Sequence, residues 1–299
     1  MSKHPSYPLH YPLAAYVSCA ASAALRVGEA LKVRAALTLT AALALASCSN
    51  IADDERLIYV KQPDVNRKVL VEDFTGQRCV NCPAATLEIE KMQEQFGHDN
   101  VIAVGIHSGP LGFKGSASLL GLATELGDEY YSHFAISYQP QGLVNRTGKQ
   151  DYQQWAASVR ELIQQAAPLT ISLDCAYDSV SRQATIDVQA LATTGTVDGK
   201  LQLWVVEDSI TAMQLRYNIV DQPTSGQLQD RQYVHNHVLR AAVNGTWGDE
   251  VSISEGQALT KHYAFTADEA WKTEHLSVVA FVYNDAGVVQ VEKRHIINQ

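Results

Sequence analysis

The chain has 299 residues, of which 46% are hydrophobic and 18% are charged. This composition is typical of a globular protein and excludes a disordered chain, and the length is sufficient for two ordinary domains. The formal net charge is −9. An acidic chain argues against nucleic acid or anionic lipid headgroups as binding partners, because both require a basic protein face.

The N-terminal segment has the pattern of a secretory signal. Lys32 and Arg34 precede an apolar run over residues 35–46, and small residues follow before Cys48. A basic region, a short apolar core and small residues before a cleavage site are typical of such signals, and this run is too short to span a bilayer. We therefore assign residues 1–47 to a signal peptide, in which residues 1–30 are either an over-extended translation start or a long basic region of the signal.

The cleavage site predicts how the mature chain begins. The four residues that end in Cys48, Leu-Ala-Ser-Cys, resemble the bacterial lipobox, in which the cysteine is lipidated and becomes the first mature residue. The alternative is ordinary signal cleavage near Ala46, which leaves Cys48 as a free thiol. We expect a lipid on Cys48, which anchors the protein to a membrane, and an acidic tether over residues 48–62. Loss of the signal leaves 19 basic and 31 acidic residues, a net charge of −12.

A strand, a turn and a helix follow one another around two cysteines. Residues 69–74 form a compact apolar run interrupted by two acids, as expected for a central strand. Further on, apolar residues recur at helical spacing. These residues are Ala85, Ile89, Met92 and Phe96. Cys79 and Cys82 lie between the strand and the helix, and Pro83 fits the first helical turn, where a missing N–H costs little.

This position favours a reactive sulfur. If Cys79 is the N-cap of the helix, unpaired N–H groups and the helix dipole stabilise its thiolate, and Arg78 adds a positive charge. Cys79 is then the attacking thiol, and Cys82 is the resolving thiol that closes a Cys79–Cys82 disulfide. Two alternatives stay open, a purely structural disulfide and half of a zinc site. Zinc needs two more ligands, and the chain has no second cysteine pair.

The same stretch resembles the active-site strand and turn of thioredoxin-like proteins. The resemblance lies in Asp73-Phe74 and in a Cys-x-x-Cys motif that begins six residues after the aspartate. It implies that a buried Asp73 moves protons during disulfide exchange, and burial raises the pKa of a carboxyl group. It also implies that Pro140 is a cis-proline facing the cysteines. The tryptophan usual before the first cysteine is Arg78 here, so redox potential and substrate do not carry over.

A longer set of motifs resembles a narrower family. The motifs are residues 79–83, 130–131, 139–142, 144–146 and 235–240. They resemble the lipoprotein family named after a twenty-eight-kilodalton outer membrane protein of anaerobic Gram-negative bacteria. The resemblance covers most of the mature chain and is specific for architecture rather than for activity.

Residues 63–167 form the predicted thioredoxin-like α/β domain. Residues 101–106 are a second apolar strand, and residues 152–163 have the spacing of a last helix that ends before Pro168. Between them, residues 119–130 have an apolar stripe that predicts an inserted helix. This helix either shapes a substrate groove or adds packing, and the sequence favours neither role.

Residues 168–299 alternate with a period of two, which predicts an all-β antiparallel sandwich domain. Cys175 falls on the apolar face, so we expect a buried side chain rather than a third redox thiol. His235 and His237 are two residues apart on one predicted strand. A metal site would need a third ligand, so we expect a pair of surface histidines.

Together these features predict an outer membrane lipoprotein, with its membrane face left open. The leading function is thiol–disulfide exchange on envelope or surface proteins. Cys79 attacks, Cys82 resolves, Asp73 relays protons and Pro140 binds the substrate backbone. The alternative is a non-enzymatic surface binding or adhesion lipoprotein with a structural CxxC disulfide. We expect protein thiols and disulfides as partners, and neither a cofactor nor a metal.

Overall fold

The structure is a computed structural model that describes residues 65–217 and 227–297. The predicted signal peptide, the lipidation site at Cys48 and the tether over residues 48–62 lie outside the described residues. Those three assignments stay predictions.

The described part of the chain is mostly β-sheet, with few helices. Its strands are β1 Val65–Asn66, β2 Val69–Thr75, β3 Val101–His107, β4 Gln141–Val144, β5 Lys149–Asp151, β6 Ala166–Ala167, β7 Leu169–Asp178, β8 Gln183–Ala192, β9 Val197–Glu207, β10 Ile210–Tyr217, β11 Gln227–His235, β12 Val238–Ala242, β13 Asp249–Ile253, β14 Ala258–Thr266, β15 Leu276–Asn284 and β16 Gly287–His295. Its α-helices are α1 Cys82–Phe96, α2 Glu125–His133 and α3 Trp155–Leu162. Single 3₁₀ turns span Tyr152–Gln154 and Thr273–His275.

A nine-stranded sheet runs through most of the molecule. Its strand order is β16-β15-β9-β12-β3-β2-β4-β5, and β13 also pairs with β9. Strand β2 is parallel to β3 and antiparallel to β4. The sheet therefore takes strands from both sides of Pro168, because β12 adds to β3 through the parallel pair Val238 and Gly105. A domain boundary at residue 168 stays a prediction, and the sheet is continuous across it.

A three-stranded antiparallel sheet packs against one face of the large sheet. Its order is β14-β8-β7, and side chains along β8 alternate between buried and exposed, as the period of two predicts. The alternate side chains of β7 and β8 share an apolar core with β9, β13, β15 and β16. Cys175 lies in this core and is buried with a free thiol, as predicted.

Strand β2 is buried on both of its faces, and this positions the site. Val69 and Val71 pack against residues of α1 and α3. Leu70 and Phe74 point the other way and pack against residues of α2, β9 and β15. Because successive side chains of a strand point to opposite faces, one acid on β2 faces α1 and the neighbouring acid faces the β-rich core.

The predicted helix over residues 119–130 begins too early, so its predicted start is wrong. Helix α2 begins only at Glu125, where the Thr124 side chain accepts a hydrogen bond of 3.0 Å from the Gly127 N–H and caps the helix. The preceding chain is irregular. A side chain at Gly121 would collide with the backbone of Gly115, since its Cβ would lie 2.0 Å from that residue's nitrogen. This close backbone approach excludes an early helical turn.

Candidate functional site

The two cysteines of the CxxC motif form a disulfide at the start of α1. Their Cα atoms are 5.4 Å apart. The N-cap of the helix is Asn81, and Cys82 is the first helical residue. The predicted N-cap, Cys79, is therefore wrong. Cys79 lies in the turn before the helix, because its N–H bonds to the Gly76 carbonyl and its own carbonyl accepts from Cys82 N–H.

The disulfide is buried. Cys79 and Cys82 are each 2% exposed. The hairpin of β10 and β11 packs on the CxxC turn, and we call it the covering hairpin. Its Leu215 N–H donates to the Gln77 carbonyl at 2.8 Å, and the Gln214 amide donates to the Cys79 carbonyl at 2.8 Å. In this oxidised arrangement both cysteines are covered, and the role of Cys79 as the attacking thiol of the reduced protein stays a prediction.

Three buried glutamines hold the backbone around the cysteines. Gln77 donates to the carbonyls of Leu120 and Met213, at 3.0 and 2.9 Å, and accepts from the Leu122 N–H. It thereby ties the CxxC turn to the loop before α2 and to the covering hairpin. Buried amides fully paired in this way are costly to disrupt. No pattern in the sequence distinguishes these glutamines from surface residues.

Gln139 and Gln214 are the other two members of this set. The Gln139 amide donates to the carbonyls of Thr75 and Ser108, at 2.6 and 3.0 Å, where β2 and β3 end. The next peptide bond, Gln139–Pro140, is cis. Pro140 is buried at the start of β4, so a substrate reaches its backbone only if neighbouring segments move.

Asp73 lies on the face of β2 that points to α1. Its side chain is buried, and its Oδ1 has no hydrogen-bond partner within the protein. Desolvation raises the pKa of Asp73 from 3.8 to about 7. A cavity of about 20 Å³ brings Asp73 together with Cys82, Pro83 and Thr86. The structure therefore places the Asp73 carboxyl group, with its raised pKa, and the second cysteine around one small space.

Three buried histidines line the same cavity, His107, His235 and His237. The predicted surface pair on one strand is wrong. His235 ends β11, whereas His237 has a φ of 47° and lies between β11 and β12, and both are buried. The rings of His107 and His235 are 5.2 Å apart. Sequence reasoning missed His107, whose only signal is a polar residue at the end of an apolar strand.

Burial keeps these histidines neutral near pH 7. Desolvation lowers the pKa of His235 to about 4, although backbone hydrogen bonds to Met213 and Ala212 oppose the shift. It lowers the pKa of His237 to about 4 as well, against the attraction of Asp208. The pKa of His107 lies well below 6.5, through desolvation and then repulsion from the other two rings. Neutral imidazole can both donate and accept a hydrogen bond.

Across residues 65–217 and 227–297, no group of His, Cys, Asp or Glu side chains has a geometry that could hold a metal ion. Within the same ranges, no helix combines the length and the apolar character needed to cross a bilayer.

The chain matches several solved structures, and three of them come from Porphyromonas gingivalis and Agrobacterium tumefaciens. HBP35 of Porphyromonas gingivalis is 15% identical, with a TM-score of 0.58 over 79% of this chain and 77% of that chain. Protein AGR_C_4864 from Agrobacterium tumefaciens is 18% identical, with a TM-score of 0.47 over 80% and 97% of the two chains. A domain of the outer membrane lipoprotein Omp28 from Porphyromonas gingivalis is 22% identical, with a TM-score of 0.31 over 45% of this chain and 93% of that chain. The likeness to HBP35 shows a shared fold alone.

No curated protein matches the chain. Residues 127–299 match the family described as Outer membrane protein Omp28. The matched range includes Pro140, His235 and His237 and begins after Asp73 and the cysteines. Because it spans more than half of the sequence, the chain belongs to the Omp28 family of outer membrane proteins.

Proposed function

We propose that this chain is a lipoprotein of the cell envelope that exchanges thiols and disulfides through a thioredoxin-like unit. Three features of the described residues support the thioredoxin-like arrangement. Strand β2 leads directly into the CxxC turn and α1, it is parallel to β3, and it is antiparallel to β4. The partners in this proposal are proteins of the envelope that carry thiols or disulfides.

The observation that carries the proposal is the shared cavity of Asp73 and Cys82. In the reduced protein, the Cys79 thiolate attacks a substrate disulfide, forms a mixed disulfide and releases one substrate thiolate. The Asp73 carboxylate then takes the proton of Cys82, whose sulfur attacks Cys79 and releases the second thiolate. The two substrate sulfurs gain the two electrons that the cysteine pair loses, and each takes up a proton from water.

This chemistry requires the covering hairpin to move away from the cysteines. Gln77 and Gln214 bind the covering hairpin to the CxxC turn through backbone carbonyls, whereas the apolar contacts of Ile210 and Ala212 form a small cluster with Leu122 and Val238. Each such hydrogen bond contributes only about 1 kcal/mol net. Local opening of a few hydrogen bonds is far less costly than global unfolding, so a substrate protein can reach the disulfide without unfolding the sheet.

Family membership and the N-terminal sequence support the envelope location. The family is one of outer membrane proteins, and Cys48 supplies the proposed lipid anchor. Intact mass of the protein isolated from membranes tests the anchor. An acylated N-terminal cysteine supports it, and an unmodified soluble product contradicts it.

A second candidate function rests on the burial of the cysteines. A disulfide whose two sulfurs are covered is also what a structural bridge requires, and the protein would then be a surface binding or adhesion lipoprotein. Structural disulfides have reduction potentials below about −300 mV, whereas exchanging disulfides lie above that value.

A redox titration of the mature protein, purified in detergent, separates the two functions. Dithiol buffers of graded potential set the redox state, and alkylation of the free thiols reports the fraction reduced. The exchange function predicts a midpoint above about −300 mV and reduction without loss of fold. A midpoint below that value, or reduction only with denaturant present, contradicts exchange and favours the structural bridge.

A further inference from the structure

Three buried polar atoms without a partner in the protein belong to residues that line the cavity beside the disulfide. They are Asp73 Oδ1, His107 Nδ1 and His235 Nε2, and all three residues line the cavity of about 20 Å³. Buried polar atoms are rarely left unpaired. A space of this size accommodates about one water molecule, which needs two to four polar partners. The cavity thus has the volume and the polar lining to hold one water between the carboxyl group and the imidazoles.

A second, open pocket lies on the other side of His237. Its volume is about 450 Å³, and polar groups on its lining include Glu90, Asp99, Asp208 and Lys293. Asn236 and His237 line both this pocket and the cavity beside the disulfide. These two residues therefore form a wall between the buried Asp73 and the outer pocket.

The structure fixes His237 at this wall. Its backbone N–H donates to Asp208 Oδ1 at 2.6 Å, and its backbone carbonyl accepts from the Gly105 N–H at 2.8 Å. Its ring packs over Gly105, where an added Cβ would lie 3.6 Å from His237 Cδ2. The charged and titratable groups around the imidazole are Asp208, Lys293 and His235, together with His107.

We propose that His237 is the proton exit of the active site, passing the proton that Asp73 takes from Cys82 to the outer pocket. This inference rests on the proposed exchange function. The proton has to leave because Asp73 must be ionised again before the next turnover. While the covering hairpin is closed between turnovers, it and the Gln214 amide shield the cysteines from solvent, whereas the wall of Asn236 and His237 separates the cavity from the outer pocket. His237 acts through Asp73 and is a positioning and relay residue rather than a catalytic one.

The test replaces His237 with a residue that its backbone tolerates. At a φ of 47°, glycine is unstrained and asparagine is the next best residue, so His237→Gly and His237→Asn remove the imidazole without forcing the chain to move. His98→Ala is the matched control, because His98 lines the outer pocket and not the cavity. The full mature protein is reduced and then mixed with oxidised glutathione, and the rate of disulfide closure is followed across pH.

The proposal predicts slower closure in both His237 variants, by about tenfold or more near neutral pH, with an unchanged reduction potential. Added imidazole, which enters the outer pocket, restores the rate of His237→Gly, and it has no effect on His237→Gly combined with Asp73→Asn. His98→Ala closes at the wild-type rate.

Two results overturn the proposal. One is a wild-type rate and pH profile in His237→Gly or His237→Asn. The other is a loss of rate that imidazole does not restore, which would show a structural role for the side chain. If the wild-type protein itself does not react with glutathione or with dithiols, the exchange function fails, and that outcome is distinct from a failure at His237.

Discussion

Glu72 and Asp73 are neighbours on β2, and both are buried acids. Their side chains point to opposite faces of the strand and have different surroundings. Glu72 faces the β-rich core and binds Arg146 through two guanidinium nitrogens, at 3.0 to 3.2 Å. Asp73 faces α1, where its Oδ1 has no partner and its pKa is raised to about 7 by desolvation. One acid is paired as an ion, and the other holds a proton beside a cysteine.

The surroundings of Arg146 explain why the Glu72 side can accept an ion pair. Its guanidinium lies 4.3 to 5.5 Å from the ring centroids of four aromatic residues. These residues are Phe134, Trp204, Phe281 and Tyr283. A bidentate carboxylate and aromatic faces together compensate the loss of water around the charge. The Asp73 side has neutral imidazoles and a sulfur pair instead, so a charge there is uncompensated. The partner, rather than the depth of burial, therefore decides whether a buried acid is stabilised as an ion or has a raised pKa.

The largest expected effect comes from Asp73→Asn. The substitution removes the proton acceptor for Cys82, so the rate of disulfide exchange falls by about 10²–10⁴-fold. Stability holds or rises at neutral pH and above, because an uncompensated buried charge is replaced by a neutral isostere. Insulin-disulfide reduction and the denaturation midpoint measure the two effects. A loss of stability with an unchanged exchange rate would show that Asp73 is merely structural.

Glu72→Gln tests the other face of the strand. It leaves the Arg146 guanidinium, whose side chain is 5% exposed, buried without a countercharge, so unfolding becomes easier by about 3–5 kcal/mol. Glu88→Gln is the control, since Glu88 pairs with the exposed Lys91 three residues further along α1, and such a helical pair contributes only about 0.2–0.5 kcal/mol. Urea denaturation measures both. Equal, small losses of stability in the two variants would contradict the distinction between the two faces of β2.

The pH dependence of stability tests the protonation states of Asp73 and of the histidines beside it. The folded-state pKa of Asp73 is raised from 3.8 to about 7, so Asp73 lowers stability as pH rises through that window. The pKa values of His235 and His237 are lowered from 6.5 to about 4, so they lower stability as pH falls from 6.5 towards 4. Each group contributes about 1.4 kcal/mol per pH unit inside its window.

Denaturation midpoints between pH 4 and pH 9 test these signs. The difference between wild type and Asp73→Asn should grow in favour of the variant from pH 4 to pH 7 and then stay level. For His237→Asn the difference should grow in favour of the variant as pH falls below 6.5. Differences that do not change with pH would contradict the assigned protonation states.

The smallest expected effect is that of Gln214→Ala, which acts on the covering hairpin. It removes the amide that donates to the Cys79 carbonyl, at a cost of about 1 kcal/mol, and loosens the covering hairpin. Reduction of the disulfide by a bulky dithiol should become about fivefold faster, which is the rate equivalent of that free energy. Gln189→Ala is the control, because Gln189 is exposed on β8, in the other sheet. An unchanged rate would mean that the hairpin does not limit access.

The parts of the site that are close in sequence could be predicted, and the distant parts could not. The strand at residues 69–74, the helix after the cysteines and the position of Asp73 all follow from local periodicity and short spacing. The covering hairpin, His107 and the three glutamines depend on contacts between segments far apart in the chain. Gln77, for example, bonds to Met213, and no local pattern marks such a pair.

Two misjudged elements have the same physical cause. The apolar run at residues 233–239 has the alternation of one strand, but the left-handed backbone at His237 divides it into β11 and β12. The histidines then turn inward, to a cavity that only the tertiary fold creates. Glu72 looked like an interruption in an apolar strand because its partner, Arg146, lies 74 residues away.

We infer that Asp73 holds a proton beside Cys82 near neutral pH and can exchange it there. Carboxyl carbon NMR of the mature protein with labelled aspartate, assigned by comparison with Asp73→Asn, measures this most directly. We expect the Asp73 signal to titrate near pH 7 and to shift when the disulfide is reduced. A titration near the ordinary value of 3.8, unaffected by the redox state of the cysteines, would contradict it.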